Sequence, residues 1–165
     1  MRDTKLSRTS LVATVIGAAA LSWLVIVPSI SSASEEPFII PPPKTDLKAD
    51  GQPGLKTAVI AGGCFWGVQG VYQHTDGVIQ AVSGYAGGKQ ANPGYELVST
   101  GTTGHAESVK ITYDPRKISY GKILQIYFSV VADPTQLNRQ GPDSGTQYRS
   151  AIFTSSPDEK KIAGD

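Results

Sequence analysis

The chain has 165 residues, 39% hydrophobic and 18% charged, with a formal net charge of +1. That is enough for one globular domain plus extensions. Arg2, Lys5 and Arg8 crowd the start; beyond them twelve basic residues face thirteen acidic ones, so no basic stripe survives and nucleic acid is excluded as an expected partner.

The three early cations precede an uncharged, mostly apolar run, Leu11 to Val27, and Ser31-Ser32-Ala33 offers small residues for cleavage. Residues 1–33 read as a signal peptide or an N-terminal membrane anchor. The run of 17 residues falls short of the ~20 that a spanning helix needs, which favours the cleaved leader. Either way the domain is expected on the far side of a membrane, periplasmic or otherwise extracytoplasmic. Residues 34–54 read as a proline-rich linker, extended and unpacked, with Pro41-Pro42-Pro43 and Pro53. The folded domain is expected over 55–165.

Thr57–Ala61 reads as a strand and Phe65 to about His74 as a helix, with Val68, Val71 and Tyr72 at one-face spacing. Between them lie Gly62, Gly63 and Cys64, the only cysteine in the chain. The layout puts Cys64 at a helix N-terminus, where free N–H groups and the helix dipole favour a thiolate. The alternative at this point is an inert buried cysteine. An exported chain ordinarily uses cysteines in pairs, so one unpaired cysteine points toward a reactive thiol or an intermolecular bridge.

Val78–Ser83 reads as a second strand and is followed by a glycine-rich stretch. Glu107–Tyr113 alternates well and reads as a third strand. Ser119 caps a helix running to about Val131. Asp133–Gly145 reads as a loop and Gln147–Thr154 as a strand. Ser156, Pro157 and Glu159 mark a last helix start. That helix has little room to bury an apolar face, so a domain cut short at Asp165 is expected. The order matches an α+β, ferredoxin-like split βαβ sandwich with a mixed sheet.

Glu107 sits at a strand mouth behind Gly101-Thr102-Thr103-Gly104, a turn flexible enough to approach a ligand. Asn92-Pro93-Gly94 presents Tyr95. The run Arg139 to Ser150 places Asp143 in a turn and Tyr148 at the opening of a strand. His74, His105 and Cys64 lack metal-ligand spacing, so no metal is expected.

Six blocks in order carry a resemblance: Gly63-Cys64-Phe65-Trp66-Gly67, Gly84-Tyr85-Ala86-Gly87-Gly88, Asn92-Pro93-Gly94-Tyr95, Gly104-His105-Ala106-Glu107, Tyr113-Asp114-Pro115 and Gly145-Thr146-Gln147-Tyr148-Arg149-Ser150. Together they resemble the peptide methionine sulfoxide reductases of the A type. The resemblance implies a ferredoxin-like α+β fold and reduction of methionine S-sulfoxide, peptide-bound or free. It implies Cys64 as nucleophile and Glu107 as acid. It implies that Tyr95, Tyr148 and Asp143 bind the sulfoxide oxygen or keep the site polar, and that Phe65 and Trp66 hold the S-methyl group. No cofactor is implied. The substrates would be oxidised proteins and methionine S-sulfoxide, and Cys64 would end as a sulfenic acid.

The family usually continues beyond the point where this chain ends, and the chain departs from the family pattern in two further ways. No second cysteine is present to resolve the sulfenic acid, so an external thiol such as a thioredoxin-like protein is the expected reductant. Gln69 stands where many members carry Glu. A non-catalytic sulfoxide-binding module and a thiol redox sensor are the alternative readings.

Overall fold

The computed structural model describes residues 38–47 and 54–165. The expected leader, residues 1–33, lies outside the described residues, as do 34–37 and 48–53 of the expected linker. Among the described residues no helix is long and apolar enough to cross a membrane.

Four strands build one sheet: β1 (Lys56–Ala61), β2 (Val78–Ala86), β3 (Ala106–Tyr113) and, late in the chain, Ala151–Phe153. The last is β6, because a two-residue ladder of β4 (Arg139–Gln140) and β5 (Asp143–Ser144) precedes it. The sheet order is β2-β3-β1-β6. The ferredoxin-like expectation therefore holds, but the sheet is antiparallel at every neighbouring pair rather than mixed. β1 and β2 do run in the same direction. They never touch, because β3 inserts between them.

α1 (Phe65–Gln73) packs on β2 and β3 and buries Phe65, Val68 and Tyr72 at one-face spacing. The Tyr72 hydroxyl donates to the Ile123 carbonyl at 2.9 Å and ties α1 to α3 (Tyr120–Ile126). Ser119 caps α3 by accepting from the Lys122 N–H. The helix expected to reach Val131 does so with a change of winding. Tyr127–Val131 is π-helical, and Ala132 N–H donates five residues back to Tyr127. Ile60, Val109, Ile111, Ile123 and Leu124 fill the core between helices and sheet.

The strand expected over 147–154 is confined to β6. Thr146–Tyr148 is instead a 3₁₀ turn. Its Thr146 hydroxyl donates to the Gly101 carbonyl and its Gln147 amide to the Ser99 carbonyl, bonds spanning 45 and 48 residues. These distant carbonyls hold the backbone out of the sheet. A short helix, α2 (Tyr95–Ser99), begins where the sequence suggests only a turn.

Residues 38–47 are extended but not unpacked. Ile40 N–H donates to Ser129 Oγ, and its carbonyl accepts from the Gln125 amide. Asp46 accepts the Gly121 N–H at 2.8 Å. A side chain at Gly121 would strike Asp46 and Pro43, so this glycine admits the proline-rich segment against α3. α4 (Pro157–Ala163) carries the expected cap, Ser156, and still buries Ile162 despite its length.

Candidate active site

Gly62 and Gly63 carry the chain from β1 into α1. Gly63 has φ +84°, and a Cβ there would lie 2.7 Å from Gln140 Cβ. Gly62 is hemmed in less severely, by Ala132, Val131 and the Tyr127 ring, each 3.1 to 3.2 Å from where a Cβ would lie. The Tyr127 hydroxyl donates to the Ala61 carbonyl at 2.6 Å. The turn is therefore pinned from outside by the segment that follows α3. Gln140 completes the clamp. Its amide nitrogen donates to the Asp133 carbonyl and Ser150 Oγ, and its oxygen accepts the Asp133 N–H.

Cys64 is the N-cap of α1, half-buried and free. Its side chain does not cap the helix. Glu107 of β3 takes that place, with Oε2 accepting the Phe65 N–H at 3.0 Å. Glu107 is only 3% exposed. Burial raises its proton affinity above that of an ordinary carboxyl; the Phe65 N–H opposes this and the negative charge of Asp143 adds to it.

Tyr148, half-buried, feels the charges of Glu107, Asp143 and Cys64 and also faces Tyr95. Burial first, then these charges, raise its pKa, so its hydroxyl stays a donor at neutral pH. Phe65 is buried and its ring lies 6.1 Å from that of Trp66, which is 74% exposed. The fold thus brings Cys64, Glu107, Tyr95, Tyr148, Asp143, Phe65 and Trp66 into one neighbourhood.

One participant is missing from the sequence reading. Tyr85 pairs directly with Glu107 across β2 and β3, and its ring sits 5.7 Å from Phe65. Burial, Glu107 and Tyr95 all raise its pKa. Its block is visible in the sequence; its place opposite Glu107 depends on strand register. Gln69 also has a definite role. Its Oε1 accepts from the Ser83 N–H and hydroxyl, bracing α1 on β2. His105 does not join this group through any ring hydrogen bond. It is buried, with Nδ1 pressed against Gly88 and unpartnered.

A half-buried thiol at a helix start, a buried carboxyl one peptide unit away and a ring of phenols define a centre suited to thiol-based redox chemistry. The family model described as peptide methionine sulfoxide reductase matches residues 56–165. The MsrA 2 protein of Mesorhizobium japonicum is 66% identical over 111 residues, covering 67% of this chain and 57% of that protein. The MsrA 2 protein of Synechocystis is 47% identical over 139 residues, covering 82% and 65%. The solved methionine sulfoxide reductase A of Corynebacterium diphtheriae superposes with a TM-score of 0.61 at 39% identity, covering 69% of this chain and 57% of that one. The chain belongs to the peptide methionine sulfoxide reductase family. It spans about three fifths of the length of the curated relatives named here.

Proposed function

We propose that this chain reduces methionine S-sulfoxide, peptide-bound and free, to methionine. The observation that carries this reading is the buried Glu107, its proton affinity raised by burial, bonded to the residue next to Cys64. A sulfoxide has a positive sulfur and a negative oxygen. Cys64 Sγ, placed at the N-terminal end of α1, attacks that sulfur as the thiolate. Oxide is a poor leaving group, so the oxygen needs a proton as it departs. Glu107 supplies it, and Tyr95 and Tyr148 donate to the oxygen where charge builds. Asp143 keeps the site polar and helps Glu107 retain its proton.

The balance closes simply. Thiolate, sulfoxide and one proton yield methionine and a Cys64 sulfenic acid, with two electrons passing from the cysteine sulfur to the methionine sulfur. Phe65 and Trp66 receive the S-methyl group opposite the oxygen-binding hydroxyls. An apolar slot and a polar slot on opposite sides of sulfur select one epimer.

Within these 165 residues Cys64 has no second cysteine to pair with. The sulfenic acid therefore goes back to thiol at the expense of an external thiol, such as a thioredoxin-like protein. The chemistry calls for no prosthetic group. The leader pattern in residues 1–33 supports work outside the cytoplasm, on oxidised proteins there, with a membrane tether if the leader is retained.

The test is a single turnover. Reduced protein with excess methionine S-sulfoxide and no reductant should release about one methionine per Cys64, with a dimedone-reactive Cys64 appearing in step. Cys64→Ser should release none. A free thiol in the folded protein that yields no methionine overturns the proposal.

A further inference from the structure

Arg149 follows Tyr148 and is half-buried. Its guanidinium divides between two segments. Nη1 donates to the Thr146 carbonyl at 2.8 Å, and Nη2 donates to the Gly104 carbonyl, 45 residues back, at 2.9 Å. Nη2 also lies over a third segment. A Cβ on Gly87, just past the end of β2, would sit 2.9 Å from it and 3.0 Å from the Phe153 ring. Gly87 and Gly104 have φ of +87° and +73°, so both turns use the left-handed backbone region that glycine reaches without strain. Among the described residues Arg149 forms no ion pair. Its planar fork is matched to two carbonyls, and no carboxylate claims its charge.

Each segment at this fork leads to a polar group of the centre. Gly104 precedes β3 and stands three residues before Glu107. Thr146 opens the 3₁₀ turn that ends on Tyr148. Gly87 follows the strand that carries Tyr85 opposite Glu107. The bonds from Thr146 and Gln147 to Gly101 and Ser99 fasten the start of the same loop, whereas Arg149 reaches the turn nearest Glu107. Burial first, then the charges of Glu107, Asp143, Tyr95 and Cys64, raise the Tyr148 pKa, so its hydroxyl lies within electrostatic reach of the carboxyl.

We propose that Arg149 is a positioning residue whose fork fixes the distance between the Tyr148 hydroxyl and the Glu107 carboxyl. The proposal rests on the reductase reading, in which both groups meet the sulfoxide oxygen as charge builds on it. The methyl end of the substrate sits against Phe65 and Trp66 on α1, and the fork makes no bond to α1. Loosening the fork therefore misplaces the donors in the transition state and leaves ground-state binding in place. A misplacement of about 1 Å can cost ~10²-fold in rate. Lysine keeps the charge but offers a point-like ammonium on a flexible stem, without the planar fork that spans two carbonyls.

The experiment compares wild type, Arg149→Lys, Tyr148→Phe and the double variant in single turnover, each over a range of methionine S-sulfoxide concentrations. Arg149→Lys should lower the maximal rate about ten- to a hundredfold and leave the half-saturating concentration within about twofold. In the Tyr148→Phe background the same change should cost less than about threefold, because one of the two groups it aligns is gone. A second readout needs no turnover. In protein labelled at the tyrosine ring carbon that bears the hydroxyl, the NMR titration of Tyr148 should move to lower pH in Arg149→Lys, as the phenol drifts from the Glu107 charge. An unchanged rate or equal losses in both backgrounds overturn the proposal. So does a raised half-saturating concentration at constant maximal rate, an unchanged Tyr148 titration, or a lysine variant that no longer folds. A wild-type chain that releases no methionine refutes the reductase reading instead, and the Tyr148 titration still decides the fork.

Discussion

Glu107 Oε2 accepts the Phe65 N–H at 3.0 Å, one residue past Cys64. One side chain therefore caps the helix that presents Cys64 and, in the proposed mechanism, supplies the proton. The two duties conflict. The N–H favours carboxylate, whereas burial and Asp143 favour the acid, and the net direction is toward the acid. Glu107→Gln keeps an oxygen for Phe65 and removes the transferable proton. Single-turnover methionine release should slow by roughly 10²–10⁴. In the wild-type chain that rate should fall as pH rises through the elevated Glu107 pKa. The variant should lose this limb. A rate and profile unchanged by the substitution would remove Glu107 from proton transfer.

The same residue makes a prediction about stability. The folded-state pKa of Glu107 lies above its ordinary 4.5. A group raised in this way stabilises the fold fully below its unfolded pKa, and that contribution is lost as pH rises through the folded value. Glu107→Gln has no such titration. The melting temperature of the variant relative to wild type should therefore climb as pH rises from the ordinary carboxyl value of 4.5 through the elevated folded value. Parallel curves across that range would mean the carboxyl is not penalised by burial.

What the sequence disclosed depended on the range of the interaction. Ser119 and Ser156 were legible as caps because a cap is decided within four residues. Glu107 was legible as a strand-mouth carboxylate from alternation alone. Tyr85 was not, because its partnership with Glu107 is a matter of register between two strands. The 3₁₀ turn that carries Tyr148 was read as strand, since the bonds bending it reach Ser99 and Gly101. The Asp46 contact with Gly121 was hidden for the same reason, at a separation of 75 residues. α2 escaped because Gly94 offers no side-chain cap and the helix lasts five residues.

Gly63 tests how tightly the turn before Cys64 is held. Its φ of +84° is costly for any side chain, and a Cβ would meet Gln140 Cβ at 2.7 Å. Backbone strain at such a position costs of the order of 1–3 kcal/mol. Gly63→Ala should lower stability by about that amount and slow methionine release, because Cys64 is the next residue. Thermal melting and single-turnover kinetics read the two effects. A variant as stable as wild type would show that the turn yields more easily than its contacts imply.

Gln140 separates holding the turn from merely filling space. Its side chain makes three hydrogen bonds, two to the Asp133 backbone and one to Ser150, and its stem roofs Gly63. Gln140→Ala keeps the Cβ beneath which Gly63 packs but frees the loop from Asp133. Each bond contributes about 0.5–1.5 kcal/mol, so a loss of roughly 1.5–4.5 kcal/mol in stability is expected. Gln140 touches neither Glu107 nor the phenols among its hydrogen bonds, so substrate affinity should hold while the rate of the chemical step falls. Single-turnover rates over a range of methionine S-sulfoxide concentrations divide the two. A fall in affinity at constant maximal rate would place Gln140 in the substrate pocket instead of behind the Cys64 turn.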